Sequence, residues 1–316
     1  MTDIALSTAS RSRQRLIADG ALLLVALIWG STFFMIKDAT SHFAVLAFLT
    51  LRFAIAFCAL IPFMLRTGRW PQRAEWRWGI LAGVLLGLSY AFQTFALRQL
   101  GAGRTGFLTS LYVVMVPFAA LLLLRHPLRR RVLIGTACAV VGLILLSEAP
   151  GGDLIGDGLG IGCAALYALQ ILAVERFPKG SDWRIMAGVQ LGTVAAICGG
   201  LFALLSITRG CDLGVCLALR PFADPLPPTL PIEVLAIALF TGITASSLAF
   251  SIQIWAQRIL PPSDATLIYA LESPFAALFG VIFLGEVLTI GALIGAGLML
   301  AGMLITALGG ESAAAS

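Results

Sequence analysis

Long apolar runs alternate with short polar, arginine-rich stretches along this chain. Ten runs fall near residues 20–36, 44–65, 79–97, 105–124, 132–147, 158–174, 185–207, 232–256, 264–284 and 288–308. A helix needs roughly 20 apolar residues to cross a bilayer. The pattern therefore predicts an all-α membrane protein with ten transmembrane helices and little chain left for a soluble domain. The rhythm also occurs twice, with five runs between Gly20 and Leu146 and five between Gly158 and Leu308. Five crossings is an odd number, so the second copy must sit upside down relative to the first. The expected architecture is a 5+5 inverted repeat. Its parts are a cytoplasmic tail (1–19), a first repeat (20–147), an external linker (148–157), a second repeat (158–308) with an external Pro-rich loop (209–230), and a cytoplasmic tail (309–316). Many alternating-access transporters are built from inverted repeats, with the substrate site at their interface.

Side chains of the two halves match at nearly constant offsets. Trp29 falls opposite Tyr167, Lys37 opposite Glu175 and Arg52 opposite Gln190, all 138 apart. Tyr90 falls opposite Phe250, Gln93 opposite Gln253 and Arg98 opposite Arg258, all 160 apart. The 22-residue difference matches the connection from Arg209 to Leu230, which holds Pro221, Pro225, Pro227 and Pro228. The fourth pair of runs shares Pro-Phe-Ala-Ala-Leu, starting at Pro117 and Pro274. The fifth shares glycines, Gly135 with Gly295 and Gly142 with Gly302.

Apolar residues make up 59% of the chain and charged residues 12%, about half the charged share of a soluble protein. The net charge of +5 would suit nucleic acid, but the placement of the charges argues against it. With the N-terminus inside, 15 Lys and Arg residues fall on the cytoplasmic side and 5 on the outer side, with Arg52 inside a run. The positive-inside rule then sets both termini in the cytoplasm, N-in and C-in. The same basic loops would rest on anionic lipid headgroups. The first 19 residues are polar and no small-residue cleavage site follows the first run, so that run stays as a helix. Cys58, Cys138, Cys163 and Cys198 fall in apolar runs and pack as small hydrophobes. Cys211 and Cys216 fall in the external loop, where an oxidising compartment allows a disulfide; the alternative is two free thiols.

Two motifs carry a resemblance to a known family. Leu27-Ile28-Trp29-Gly30-Ser31-Thr32 resembles the first-helix signature of the drug/metabolite transporter superfamily. Leu271-Glu272-Ser273-Pro274-Phe275-Ala276-Ala277-Leu278, followed by Leu284-Gly285-Glu286, resembles its ninth-helix signature. The resemblance covers nearly the whole chain and is to the ten-helix, EamA-type permeases. It implies a 5+5 inverted repeat, secondary transport without ATP and small organic substrates, often exported. Within that group the chain is similar to the bacterial aromatic amino acid exporters, which implies the bacterial inner membrane. One position departs from the pattern. The family often ends its fourth helix with Leu-Gly-Glu, where this chain has Leu124-Arg125-His126-Pro127, about three residues early.

Ionisable side chains inside a bilayer are costly and usually face a protein interior or water. Arg52 lies about 12 Å below the outer end of its helix at 1.5 Å per residue, and Glu272 lies near the middle of the ninth. As poles for a zwitterion, the guanidinium would take a carboxylate and Glu272 an ammonium or a proton. The structural alternative has Arg52 snorkelling or bonding backbone carbonyls and Glu272 bonding near the Pro274 kink. Tyr90 and Gln93 share a face of the third helix and Phe250 and Gln253 the matching face of the eighth. With Trp29, Ser31, Tyr112, Tyr167, Gln170 and Tyr269 they outline a central aromatic and polar cavity suited to an amphipathic small molecule. The amides would otherwise serve as helix–helix glue. Pro117 and Pro274 are candidate hinges. The glycines of the fifth and tenth runs read as packing seams between the halves or between two copies in a homodimer.

The sequence holds no nucleotide-binding Gly-x-x-x-x-Gly-Lys-Ser/Thr loop, no metal-ligand set around His42 or His126 and no hydrolase triad. The expected protein is not an enzyme and uses no cofactor or metal. Its expected partners are a small-molecule substrate and membrane lipids, not nucleic acid. The leading reading is an alternating-access exporter of small metabolites, amino acids with aromatic or apolar side chains first. Its rivals are a lipid-linked sugar flippase, a multidrug or organic-cation exporter and a membrane-embedded transferase.

Overall fold

The computed structural model describes residues 2–124, 130–147, 153–178, 180–208, 222–227, 229–260, 265 and 268–308. Every regular element among them is helical. The order is α1 (Thr2–His42), α2 (Val45–Leu65), α3 (Arg73–Gln99), α4 (Ala102–Ser110), α5 (Tyr112–Leu124), α6 (Arg130–Ser147), α7 (Leu154–Glu175) and α8 (Trp183–Thr208). Then come α9 (Ile232–Phe240), a π-helical segment (Thr241–Leu248), α10 (Ala249–Ala256), α11 (Glu272–Leu284) and α12 (Ile290–Leu308). Among the described residues, seven stretches are long and apolar enough to cross a membrane: Gln14–His42, Val45–Leu65, Arg73–Gln99, Ala102–Leu123, Leu154–Glu175, Trp183–Ile207 and Ile232–Ala256. Shorter apolar helices, Leu133–Gly142, Glu272–Leu284 and Ile290–Ile305, lie in the fifth, ninth and tenth runs. The helix α1 also runs through residues that the sequence assigns to a polar tail.

The distribution of side chains reverses that of a water-soluble protein. Leu122, Ile144, Ile207, Phe283 and Ile290 are exposed on the outside, where a lipid chain rather than water satisfies them. Among the described residues, the largest fully buried side chain is an arginine, Arg52, followed by Tyr112 and Tyr269.

Local chemistry sets the ends of several helices. Glu75 in the first turn of α3 accepts the Gln72 backbone N–H at 2.8 Å and takes Arg69 through both oxygens, at 2.7 and 2.8 Å. Asp153 caps α7 by accepting from the Gly156 N–H at 2.9 Å. Gly285 ends α11 in the left-handed region, at φ 63°, a conformation that costs glycine little. The turn carries Glu286 back to the start of α4, where it accepts the Ala102 N–H at 2.6 Å and the Gly103 N–H at 3.3 Å. A carboxylate there satisfies free N–H groups and meets the positive end of the helix dipole.

The helices of the two halves pack against each other in matching pairs. α2 lies on α8, α4 on α11 and α6 on α12; α3 lies on α7 and α1 on α10; α1 also lies on α11, and α7 on α4 and α5. The α6–α12 seam is close. A Cβ at Gly142 would stand 2.6 Å from the Gly295 carbonyl oxygen, and one at Gly302 would stand 2.4 Å from that of Gly135. Only glycine fits at such distances. The contacts are reciprocal: position 142 meets the mate of 135, and the mate of 142 meets 135. They also make the two helices antiparallel, since residues 135 to 142 run alongside 302 to 295.

Candidate functional site

The buried polar groups converge where α1, α2, α3, α7, α10 and α11 meet. Arg52 on α2 is wholly enclosed. Its Nε donates to Ser246 Oγ at 2.9 Å, and its guanidinium carbon stands 4.8 Å from the Tyr90 ring centre and 5.1 Å from that of Phe53. Two ring faces attract a cation, yet they accept no conventional hydrogen bond, and Nη1 and Nη2 are buried with no hydrogen-bond partner. Glu272 opens α11 and is 5% exposed. It lies within electrostatic reach of Arg52 and accepts no hydrogen bond among the described residues. Its place in the first turn lets the helix dipole favour its charge.

A cage of rings joins these two charges. Trp29 meets Phe250 at 5.3 Å between centroids, Tyr269 at 5.6 Å and Tyr167 at 6.4 Å. Tyr90 meets Phe53 at 5.0 Å and Phe250 at 6.1 Å, and Tyr112 meets Tyr167 at 4.9 Å. The hydroxyls of Tyr112, Tyr167 and Tyr269 and both amide atoms of Gln253 are buried without partners. Gln170 donates to Gln190 at 3.1 Å, which leaves the Gln170 oxygen and the Gln190 nitrogen unpaired. Gln93 donates to Thr109 Oγ1 at 3.3 Å. An unpaired buried polar group costs about 1–3 kcal/mol, so a cluster of them marks a place built to receive water or a ligand. Trp29, Ser89, Tyr90, Gln93, Thr109, Tyr167 and Glu272 line a cavity of about 10 Å³ there, the size of a single water. The centre is thus occluded, and anything larger must part its walls.

The structure brings Trp29, Arg52, Tyr90, Tyr112, Tyr167, Tyr269 and Glu272 into one connected cluster. Gln93 lines the small cavity, and Gln253 lies one turn beyond Phe250 on α10. Ser31 instead donates to the Ile28 carbonyl of its own helix at 2.7 Å. Pro117 lies inside α5, and the break in that span falls at Leu111, more than a turn earlier. Pro274 lies in the first turn of α11, and the interruption falls at Ala270 and Leu271, where the proline removes a hydrogen bond to the carbonyl four residues back. Cys211 and Cys216 lie outside the described residues. Cys58, Cys138, Cys163 and Cys198 are free thiols.

Sequence reasoning missed two features of the site. The first is the π-helical segment of the span Ile232–Ala256. Trp29 Nε1 donates to the Ala245 carbonyl at 2.8 Å, and Arg52 to Ser246. Both central side chains thus grip the one wide turn of that helix. The run Thr241-Gly242-Ile243-Thr244-Ala245-Ser246-Ser247 holds no proline to betray it, only a concentration of small polar residues. The second is a set of ion pairs at one end of the bundle, at residues assigned to loops. Lys37 Nζ donates to the Leu100 carbonyl at 2.8 Å and meets Glu286 at 3.4 Å. Arg98 pairs with Asp224. Arg104 takes Asp157 through Nε at 2.8 Å and Nη2 at 2.6 Å.

A multi-pass helical membrane protein with a polar and aromatic centre between its two halves is what the fold and the site define. The chain belongs to the EamA-like transporter family, whose sequence profile matches residues 16–148 and again 154–308. An uncharacterized transporter of Archaeoglobus fulgidus is 32% identical over 295 residues, 93% of this chain and 87% of its own. The uncharacterized inner membrane transporter YedA of Escherichia coli K12 is 27% identical over 215 residues, 63% of this chain and 69% of its own. A crystal structure at 20% identity superposes with a TM-score of 0.61 over 91% of this chain and 95% of its own, which establishes the fold. The family's work, membrane transport, is the work of this chain.

Proposed function

We propose that the protein exports zwitterionic small molecules, amino acids with aromatic or apolar side chains, across a bacterial inner membrane by alternating access. In this reading ten helices form two inverted repeats of five, with both termini in the cytoplasm. The reciprocal Gly142–Gly295 and Gly302–Gly135 contacts support the inversion. A two-fold operator makes equivalent residues exchange partners, and here the exchange reverses the helix direction. Swapping the halves maps the main pairs between them onto one another: α2–α8, α4–α11 and α6–α12 onto themselves, α3–α7 onto α1–α10, and α1–α11 onto the packing of α7 on α4 and α5. Repeat-matched Trp29 and Tyr167 touch, as do Tyr90 and Phe250, so the cluster straddles the axis.

The observation that carries the substrate class is the presence of Arg52 and Glu272 in one buried aromatic cluster, Glu272 on the small cavity and Arg52 behind the Tyr90 ring with Nη1 and Nη2 unpartnered. A carboxylate would take the free guanidinium nitrogens in a fork. An ammonium would take Glu272, which can instead hold a proton when the site is empty. The rings and the tyrosine hydroxyls would enclose the side chain. A lateral crevice of about 510 Å³ lies between α4, α11 and α12, but neither Arg52 nor Glu272 nor any caged tyrosine lines it. It gives a flippase no route to the centre.

Counterflow of L-phenylalanine into liposomes holding the purified protein tests the proposal. Saturable uptake is expected, with loss of it in Gln253→Ala at unchanged helical content. Full activity in both Gln253→Ala and Gln93→Ala would remove the cavity assignment, and absence of flux for every amino acid tried would remove the substrate class.

A further inference from the structure

A second space lies at the end opposite Lys37. It is about 410 Å³, between the last turn of α7 and the last turn of α10, within the range of small-ligand pockets. Its floor and wall are apolar and buried: Ile171, Val174, Ile254 and the Phe177 ring. Its rim carries one anion, Glu175, and one cation, Arg258. Between floor and rim stands Gln257, whose amide nitrogen and oxygen are both buried with no partner. Arg258 forms no ion pair among the described residues, while Arg69 and Arg184 at the same end are held by Glu75 and Asp182.

One cation, one anion and one amide that can both give and accept, set over an aromatic and aliphatic floor, define a ligand. It carries a carboxylate and an ammonium on one end and an apolar group on the other. A nucleotide would bring more negative charge than one arginine balances, and a simple hydrocarbon would leave all three polar groups unused. We infer that this vestibule is a second binding site, which takes a zwitterionic amino acid with an apolar side chain before it reaches the occluded centre. The carboxylate sits on Arg258, the ammonium on Glu175 and the side chain on the Phe177 wall. The inference rests on the proposed export of such molecules and adds where they are first held. Gln253 lies one turn deeper than Gln257 along the same helix and is the next polar side chain a molecule moving inward would meet.

Equilibrium dialysis of the full chain in detergent, with labelled L-phenylalanine, tests it. Two molecules per chain are expected, and one in Glu272→Gln, which disables the centre and leaves the vestibule. In that background Arg258→Gln and Glu175→Gln should each weaken the remaining site roughly tenfold, the loss of one charge-assisted contact open to solvent. 2-Phenylethylamine, which lacks the carboxylate, should lose its sensitivity to Arg258→Gln and keep that to Glu175→Gln; 3-phenylpropionate should do the reverse. Both side chains are exposed, so neither replacement threatens folding. Binding of one molecule that vanishes in Glu272→Gln, with flux intact in the unaltered protein, would overturn the vestibular site alone. Absence of both binding and flux would overturn it together with the export reading. Residual binding indifferent to Arg258 and Glu175 would also overturn it.

Discussion

The two ends of the bundle use matched positions and hold them differently. At one end Lys37 ties down the Leu100 carbonyl and Glu286, while Arg98 holds Asp224. At the other, the mates of Lys37 and Arg98 are Glu175 and Arg258, and they line an open vestibule. Among the described residues, the three ion pairs that join the halves, Lys37–Glu286, Arg98–Asp224 and Arg104–Asp157, all lie at the Lys37 end. Those at the Arg258 end, Arg69–Glu75 and Arg184–Asp182, are local. The difference is written in side-chain chemistry. A lysine donates to a carbonyl and a glutamate cannot. Asp224 belongs to the insertion, which has no copy in the first half. Glu286 ends a Leu-Gly-Glu that the fourth run replaces with Leu124-Arg125-His126. The two ends of one architecture thus carry unequal latches, and the ion pairs that join the halves gather at the Lys37 end.

Removing the shared centre should have the largest effect on exchange while leaving the contrast between the ends in place. Glu272→Gln is expected to lower amino acid flux roughly hundredfold, the loss of a contact to a buried charge. Its melting temperature should change little, because the empty site can hold Glu272 as a neutral acid, which costs about as much to bury as an amide. A fall in stability that tracks the fall in flux would make Glu272 structural. Next comes the tightest latch. Asp157→Asn leaves Arg104 without its bidentate carboxylate and should cost about 2 kcal/mol, seen as a lower denaturation midpoint. An impermeant maleimide should also label Gln99→Cys faster in that background. Glu286→Gln removes the charge but keeps an acceptor for α4, so a loss of about 1 kcal/mol is expected, with a smaller rise in labelling. The weakest effect belongs to Arg69→Gln. Its pair with Glu75 lies inside one half, so labelling should change at neither end. A gain at the Lys37 end would show that the local pair acts across the interface.

Much of the plan was legible in the chain. The apolar helices follow from burial, because lipid forces both apolar length and internal pairing of polar groups; of the ten runs, seven are helices long enough to span among the described residues and the fifth, ninth and tenth hold shorter ones. Trp29, Tyr90, Tyr167 and Glu272 could be placed near one another because each is too polar or too large to be idle in the bilayer, and their helices are repeat-matched. Ser31 misled because a hydroxyl on a helix has its own carbonyl within reach. The π-helical turn was hidden because small polar residues favour it without requiring it. The latches were hidden for a different reason. Lys37, Arg104, Asp157, Asp224 and Glu286 are scattered over the sequence, and hydropathy assigns such residues to loops. The packing of α4 against α11 and α7 brings Arg104, Asp157 and Glu286 together, Lys37 joins from α1, and Asp224 is held by Arg98 on α3 and the Val45 N–H at the start of α2.

Spin-label distances between repeat-matched sites, Asp38 with Gln99 at one end and Arg176 with Ile259 at the other, test most directly whether the halves are inverted copies that exchange which end is open. All four are exposed. Replacing Lys37 with Met releases the latch without touching the centre or the vestibule. The expected result is a longer distance for the first pair and, in the same sample, a shorter one for the second. Lengthening of the first pair with the second unmoved would contradict the account, because two ends that open independently cannot alternate.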